Sequence, residues 1–197
     1  MSTLSQENKY SMHPKFIQQN VSLHDKNWFK TGGLAKYFAQ PSNSQEFAQA
    51  LAFAQQHSLE VCLLGHGANV LISDDGFDGL VICPQTTTIT HKLQNETTAH
   101  VTSNAGTSFD DLIEYCLNNN LTNLEEFSGI PGTIGGSVYI NLHYYEFFLA
   151  DFLIQAEVIH KETGQIKVVS KDWFNFGYDI SSKPYQTLLF QAYLLNG

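Results

Sequence analysis

Between Ser44 and His57 apolar residues return at three- and four-residue spacing, so Phe47, Ala50, Leu51 and Ala54 fall on one helical face. The preceding Pro41-Ser42-Asn43-Ser44 supplies capping side chains, and the pattern predicts an amphipathic helix packed on a sheet. Three short apolar runs follow as buried strands: Val61 to Leu64, Val70 to Ile72, and Leu80 to Cys83, the last after an Asp74-Asp75-Gly76 turn. Further on, Thr86 to Thr90 and Gln94 to Ser103 read as strands with a turn at Asn95-Glu96. Ser108 caps a helix over Phe109 to Asn119 that carries Leu112, Ile113, Cys116 and Leu117. Asp110 and Asp111 in its first turn are either a carboxylate pair or simple complements to the helix dipole. The last third alternates as strands over Leu153 to His160, Ile166 to Ser170 and Leu188 to Leu195, with Glu162-Thr163-Gly164 as a hairpin turn. Residues 1 to 24 are polar, with a small patch at Phe16-Ile17, and read as an N-terminal extension holding one helical turn at most. The order of elements is that of an α+β fold, not of alternating strands and helices.

Two glycine-rich stretches interrupt this pattern. Leu64-Gly65-His66-Gly67-Ala68-Asn69-Val70 follows a strand, and its glycines let successive amide N–H groups converge on an anion such as a pyrophosphate. A helix-opening dinucleotide fingerprint is excluded, because β-branched and apolar residues, not a helix, follow Gly67. Gly129-Ile130-Pro131-Gly132-Thr133-Ile134-Gly135-Gly136 is the second stretch, a fixed irregular loop of the kind kept where a backbone passes close to something. A smaller glycine pair in Lys30-Thr31-Gly32-Gly33 is either a hairpin corner or a turn that presents Lys30 and Thr31 to a ligand.

Composition narrows the chemistry. The chain has 197 residues, 43% of them hydrophobic, enough for a large domain or two small lobes: 25–86 and 87–197 after the extension. A net charge of −9 with ten Lys and Arg gives no basic field for nucleic acid or an anionic membrane, so a polyanionic ligand must be held by backbone amides and a few placed cations. Cys62, Cys83 and Cys116 lack metal or disulfide spacing and read as buried free thiols. No metal site is expected. No secretory pattern opens Met1 to Tyr10 and no apolar run reaches the eighteen or so residues of a membrane span, so a cytoplasmic location is expected.

Both glycine stretches, in this order and at this separation, resemble the flavin-binding half of the UDP-N-acetylenolpyruvoylglucosamine reductase family, also called UDP-N-acetylmuramate dehydrogenases of peptidoglycan synthesis. The match runs from Val21 to Leu195. It takes in Asn27-Trp28-Phe29-Lys30-Thr31-Gly32-Gly33, the Leu64 to Leu71 loop, Asp75-Gly76-Phe77 and Ser128 to Gly136. The resemblance implies a two-lobed FAD-binding fold of the vanillyl-alcohol-oxidase type, here lacking the C-terminal substrate domain. It implies FAD with its pyrophosphate on the amides of Gly65 to Asn69, and with Leu64, His66, Ala68, Val70 and the Asn69 side chain beside it. Gly129, Ile130, Pro131, Gly132, Thr133, Gly135, Gly136 and Asn141 are implied as further cofactor contacts, with Ile130, Ile134 and Val138 shielding the flavin.

Departures from the family pattern cluster at the flavin end. The family's Asn-Ala-Gly-Ala-Tyr-Gly is here Asn141-Leu142-His143-Tyr144-Tyr145-Glu146, without either glycine. Its Phe-Gly-Tyr-Arg is Phe176-Gly177-Tyr178-Asp179, which puts an anion where an enolpyruvyl substrate needs a cation. The family's proton-donating serine and nearby glutamate belong to the substrate domain. His66 either donates to phosphate, faces solvent, or tethers the flavin covalently. Three readings stay open: a flavin oxidoreductase on a different small substrate with His143, Tyr145 and Tyr178 near the ring, a non-catalytic module pairing with its own copy or another subunit, and the ordinary reductase cut short.

Overall fold

The computed structural model describes residues 14–181 and the backbone of strand residues 187–196. Met1 to Tyr10, expected to carry no leader, lie outside the described residues. Strand β1 (Ile17–Ser22) leads through one 3-10 turn at His24–Lys26 to β2 (Leu34–Ala39), and α1 (Ser44–Gln56) to β3 (Val61–Leu63) and β4 (Phe77–Ile82). The hairpin β5 (Ile89–Leu93) and β6 (Ala99–Asn104) precedes α2 (Phe109–Asn118) and the short α3 (Ile134–Tyr139). A two-residue ladder, β7 (His143–Tyr144) with β8 (Phe147–Phe148), and one turn, α4 (Leu149–Phe152), lead into β9 (Leu153–His160), β10 (Ile166–Ser170) and β11 (Thr187–Asn196).

Two sheets result. The first has the order β1-β2-β4-β3, with β2 and β3 both parallel to β4, and the second is antiparallel in the order β10-β9-β11-β6-β5. Central β4 is buried on both faces. Leu80 and Ile82 meet Phe47, Ala50, Leu51 and Ala54 of α1, and Val81 meets Ala35, Phe38 and Leu64 on the other side. A parallel central strand covered on both faces needs such a continuous apolar run. The second sheet packs α2 through Phe109, Leu112, Ile113 and Cys116 against Ala99, Val101, Ala156 and Val158. One residue joins the layers: Ile159, near the end of β9, belongs to the core cluster of the first sheet.

Capping chemistry places the helices where the sequence predicts them. Asn43 accepts from the Glu46 amide at the start of α1, and Ser108 from the Asp111 amide at the start of α2 (3.0 Å). Asn95 accepts from Thr97 and Thr98 amides and makes the expected turn between β5 and β6. The strand bounds there shift, with Ile89–Leu93 and Ala99–Asn104 in place of 86–90 and 94–103.

Two local expectations are corrected. Residues 17–22, read as part of a terminal extension, form an edge strand paired to β2; only Ile17 is buried, so no apolar alternation announces it. Val70 to Ile72 is not a buried strand: Val70 and Leu71 are 41% and 74% exposed. Its end is held to the 31–33 turn instead: Ile72 N–H donates to Thr31 Oγ1, and the next residue, Ser73, accepts the Gly33 N–H on its carbonyl.

Phe109 is wholly buried and stacks edge-on with Phe127 at 5.4 Å between ring centres. Phe109→Ala is expected to cost about 3–5 kcal/mol and Ser108→Ala about 1 kcal/mol in urea unfolding, the first for a cavity and the second for one lost cap. Equal losses would contradict this account of the second lobe.

Candidate functional site

A cleft of about 490 Å³ lies where the two glycine stretches meet, a size ordinary for cofactor sites. Leu64 to Val70 line one wall; Pro131, Gly132, Thr133, Gly135 and Gly136 line the other. Contact between the walls is close enough to require glycine. A Cβ on Gly65 would collide with the Thr133 hydroxyl oxygen, and one on Gly67 would collide with the Lys26 carbonyl and lie 2.7 Å from Asn27 Cα. Gly67 holds φ +65°, a left-handed turn of the kind that makes an anion-binding nest.

Accounting for the loop's backbone groups identifies its chemistry. The Gly65 carbonyl accepts the Cys83 S–H at 3.7 Å and the Gly67 carbonyl accepts the Trp28 N–H at 3.1 Å. Burial pushes the Cys83 thiol up, against smaller opposing effects of Lys26 and Gln85, and so keeps it protonated for that contact. Among the described residues, none of the five successive amides of Gly65, His66, Gly67, Ala68 and Asn69 donates a hydrogen bond to protein. Two of the loop's carbonyls are tied back and its donors are left over. A row of N–H groups left over along a cleft wall is the kind of donor set that receives an anion, and among the described residues that line the cleft Lys161 is the only Lys or Arg.

The second wall is braced from behind. Thr133 Oγ1 accepts the Gly136 amide and caps α3, Gly135 N–H donates to the Ala105 carbonyl at 2.8 Å, and Ile134 N–H to the Thr107 carbonyl at 2.9 Å. Ala105 and Gly106, between β6 and α2, therefore also reach the cleft. Sequence reasoning passed over them, although a small-residue pair after a strand and before a capped helix marks a close backbone approach. Asp110, read as a carboxylate pair member or a dipole complement, accepts the Gly129 amide at 3.2 Å and fixes the entry to the second loop.

Several expected residues stand elsewhere. Gly129 and Ile130 do not line the cleft: nothing lies within 4 Å of a Cβ built on Gly129, and Ile130 packs on the second core. Ile134 is wholly buried in that core, while Val138 does face the cleft. Asn141 is 4% exposed and is consumed internally, donating to the Gly177 carbonyl (2.9 Å) and accepting from the Ala150 amide (3.1 Å). Cys62, expected buried, is exposed, because β3 is an edge strand that lines the cleft. Thr31 is spent on Ile72, and Lys30 lies 3.9 Å from Asp25.

His143, Tyr145 and Tyr178 are not on the cleft wall. The structure gathers His143 and Tyr178 into a separate cluster just beyond it, next to Leu142 and Ser181, which do line the cleft. The His143 ring stacks on Phe148 and leans on Tyr178 at 4.3 Å between centres. Asp179 Oδ1 lies 3.3 Å from His143 Nδ1, but out of line for a hydrogen bond. Tyr145 pairs with Tyr144 instead and is 76% exposed. It sits at φ +51°, a left-handed position that a bulky side chain rarely adopts. Among the described residues there is no group of three or more His, Cys, Asp or Glu able to hold a metal ion, and no helix is long and apolar enough to cross a membrane.

Comparison with known proteins converges on the same geometry. Residues 35–170 match the model of an FAD binding domain. The chain is 35% identical over 162 residues to UDP-N-acetylenolpyruvoylglucosamine reductase of Acaryochloris marina, a match covering 82% of this chain and 52% of the relative. The chain thus spans about half the length of the curated relatives it matches. In three dimensions it is similar to the Thermus caldophilus UDP-N-acetylenolpyruvylglucosamine reductase, with TM-score 0.75 at 27% identity over 91% of this chain and 62% of that one. A cholesterol oxidase from B. sterolicum shares the fold at 15% identity, with TM-score 0.72 over 98% of this chain and 40% of that one.

Gly65 and Gly129 separate the two kinds of glycine in these stretches. Gly65→Ala is expected to raise the FAD dissociation constant at least about tenfold, a loss of roughly 1.4 kcal/mol. Gly129→Asn, at an open left-handed position that asparagine tolerates, leaves it within about twofold. Fluorescence titration of FAD measures both.

Proposed function

This chain belongs to the FAD-binding domain family, and from that premise we propose that it is the cofactor-holding module of a flavin-dependent oxidoreductase, similar in this half to the UDP-N-acetylenolpyruvoylglucosamine reductases. The observation that carries this reading is the run of five amides from Gly65 to Asn69 that donate to no protein group among the described residues, on a cleft shared with the second glycine stretch. Those amides hold the diphosphate, with Thr133 and Gly132 opposite. The lobes 25–86, joined by strand residues 17–22, and 87–197 hold the cofactor between them. Bound FAD supplies reversible hydride and electron transfer. The protein's part is to bind it, orient it and exclude water, with Val138, Leu142, Trp173 and Phe174 as the apolar surface available on the cleft wall.

The substrate we propose is not the anionic enolpyruvyl sugar of the relatives' names. Asp179 takes the place of a cation in the family pattern and stands beside His143, and a carboxylate there repels an anionic substrate. A second reading is favoured by one specific observation. The His143 ring packs on Phe148 and Tyr178, and neither His143 nor Tyr178, itself 71% exposed, lines the cleft wall, as in a module that keeps the cofactor and leaves chemistry to a partner.

The purified chain, reconstituted with FAD, is expected to be yellow and to release intact FAD on denaturation; a colourless protein that ignores added FAD contradicts the proposal. Anaerobic NADPH separates the two readings. Rapid bleaching of the bound flavin in a monomer supports the oxidoreductase, and an unbleached flavin in a stable oligomer supports the module.

A further inference from the structure

Two carbonyls of the first glycine loop, those of Gly65 and Gly67, are held from outside it, and this determines where two of its donors point. A trans peptide is planar, with its C=O and its N–H on opposite sides. Fixing the Gly67 carbonyl on the Trp28 amide therefore turns the Ala68 N–H the other way, and fixing the Gly65 carbonyl on Cys83 does the same for the His66 N–H. Apart from the turn over Ala68 and Asn69, the described residues give the loop no backbone bond of its own. Whatever places the Trp28 amide therefore places the Ala68 donor.

We propose that Asn27 is the positioning residue of the diphosphate site, a role that rests on the FAD reading above. Its side chain is buried, 3% exposed, and is committed wholly to its own turn. Nδ2 donates to the Leu23 carbonyl at 2.8 Å and to the Thr31 carbonyl at 2.7 Å, and Oδ1 accepts from the Thr31 amide at 3.5 Å. These bonds close residues 23–31 into a rigid loop. They leave no free atom for a ligand, so Asn27 acts through its neighbours. Its backbone is the surface on which the first glycine loop rests: a Cβ added to Gly67 would lie 2.7 and 2.8 Å from Asn27 Cα and Cβ. The next residue, Trp28, presents the amide that takes the Gly67 carbonyl, while its indole is 63% exposed and adds little packing. Asn27 is thus a buried clamp whose function is the direction of amides about one residue layer away.

Asn27→Asp tests this, being nearly isosteric while removing both donated bonds and setting a carboxylate against two carbonyls. Binding is measured for three probes: FAD and ADP, which share a diphosphate, and riboflavin, which has none. The proposal predicts that N27D weakens FAD and ADP at least about tenfold and leaves riboflavin within about twofold. Unchanged FAD and ADP affinity overturns it, and so does an equal loss for all three probes, which marks a general structural role. If N27D fails to fold by circular dichroism, Trp28→Pro decides. It deletes only the amide that holds Gly67, and the extended Asn27 backbone (ψ 161°) suits a residue before proline. W28P is expected to show the same split between probes, and retention of FAD and ADP affinity by W28P overturns the proposal. Failure of the wild-type chain to bind FAD at all is a distinct result, which removes the flavin reading and this role with it.

Discussion

Five successive backbone amides that donate to no protein group among the described residues, on a loop with two carbonyls tied down from outside it, are the constraint from which the rest of this molecule can be understood. Main-chain donors left over on a cleft wall are open to a ligand. Here they are kept on a wall that a second irregular loop closes from the other side, with Gly65 pressed against Thr133. The chain carries a net charge of −9, so it attracts no polyanion from a distance. Short-range, directional N–H groups are how such an acidic chain can bind a diphosphate without a basic surface.

The architecture serves that junction. The first sheet buries both faces of β4 and brings β3 to its edge, so that the loop after β3 emerges at the sheet margin. The second sheet and α2 carry the other loop, anchored through Ala105, Thr107 and Asp110. Ile159 reaches from the second sheet into the first core, and Gly65 meets Thr133 with no room for a Cβ.

How much of this could be read from the sequence depends on whether the information is local. α1 and α2 were legible because a 3.6-residue period and capping side chains act within a few residues, and the glycine stretches because positions such as Gly65 and Gly67 leave no room for a side chain. Strand β1 was not, since an edge strand with one buried side chain has no apolar alternation. Val70 to Ile72 misled for the opposite reason: its apolar side chains suggest a strand, but its end is held to a distant turn at 31–33. At the site, the stretches Leu64 to Val70 and Pro131 to Gly136 come together on one cleft, as their glycines suggest, whereas Asn141 bonds to Gly177 and Ala150, a pairing that no local pattern announces because an amide suits a ligand equally well. The division of His143 and Tyr178 from the cleft wall depends on residues over thirty positions apart, and no local pattern encodes it. Asn27 was visible as part of a motif, but its role appears only when Gly67 is seen lying on it.

The most direct test observes the amides themselves. In ¹H–¹⁵N spectra with hydrogen exchange, addition of FAD is predicted to shift and protect the N–H groups of Gly65, His66, Gly67, Ala68 and Asn69 as a group. FAD binding that leaves these five unshifted and unprotected, with its largest effects elsewhere, would contradict the account.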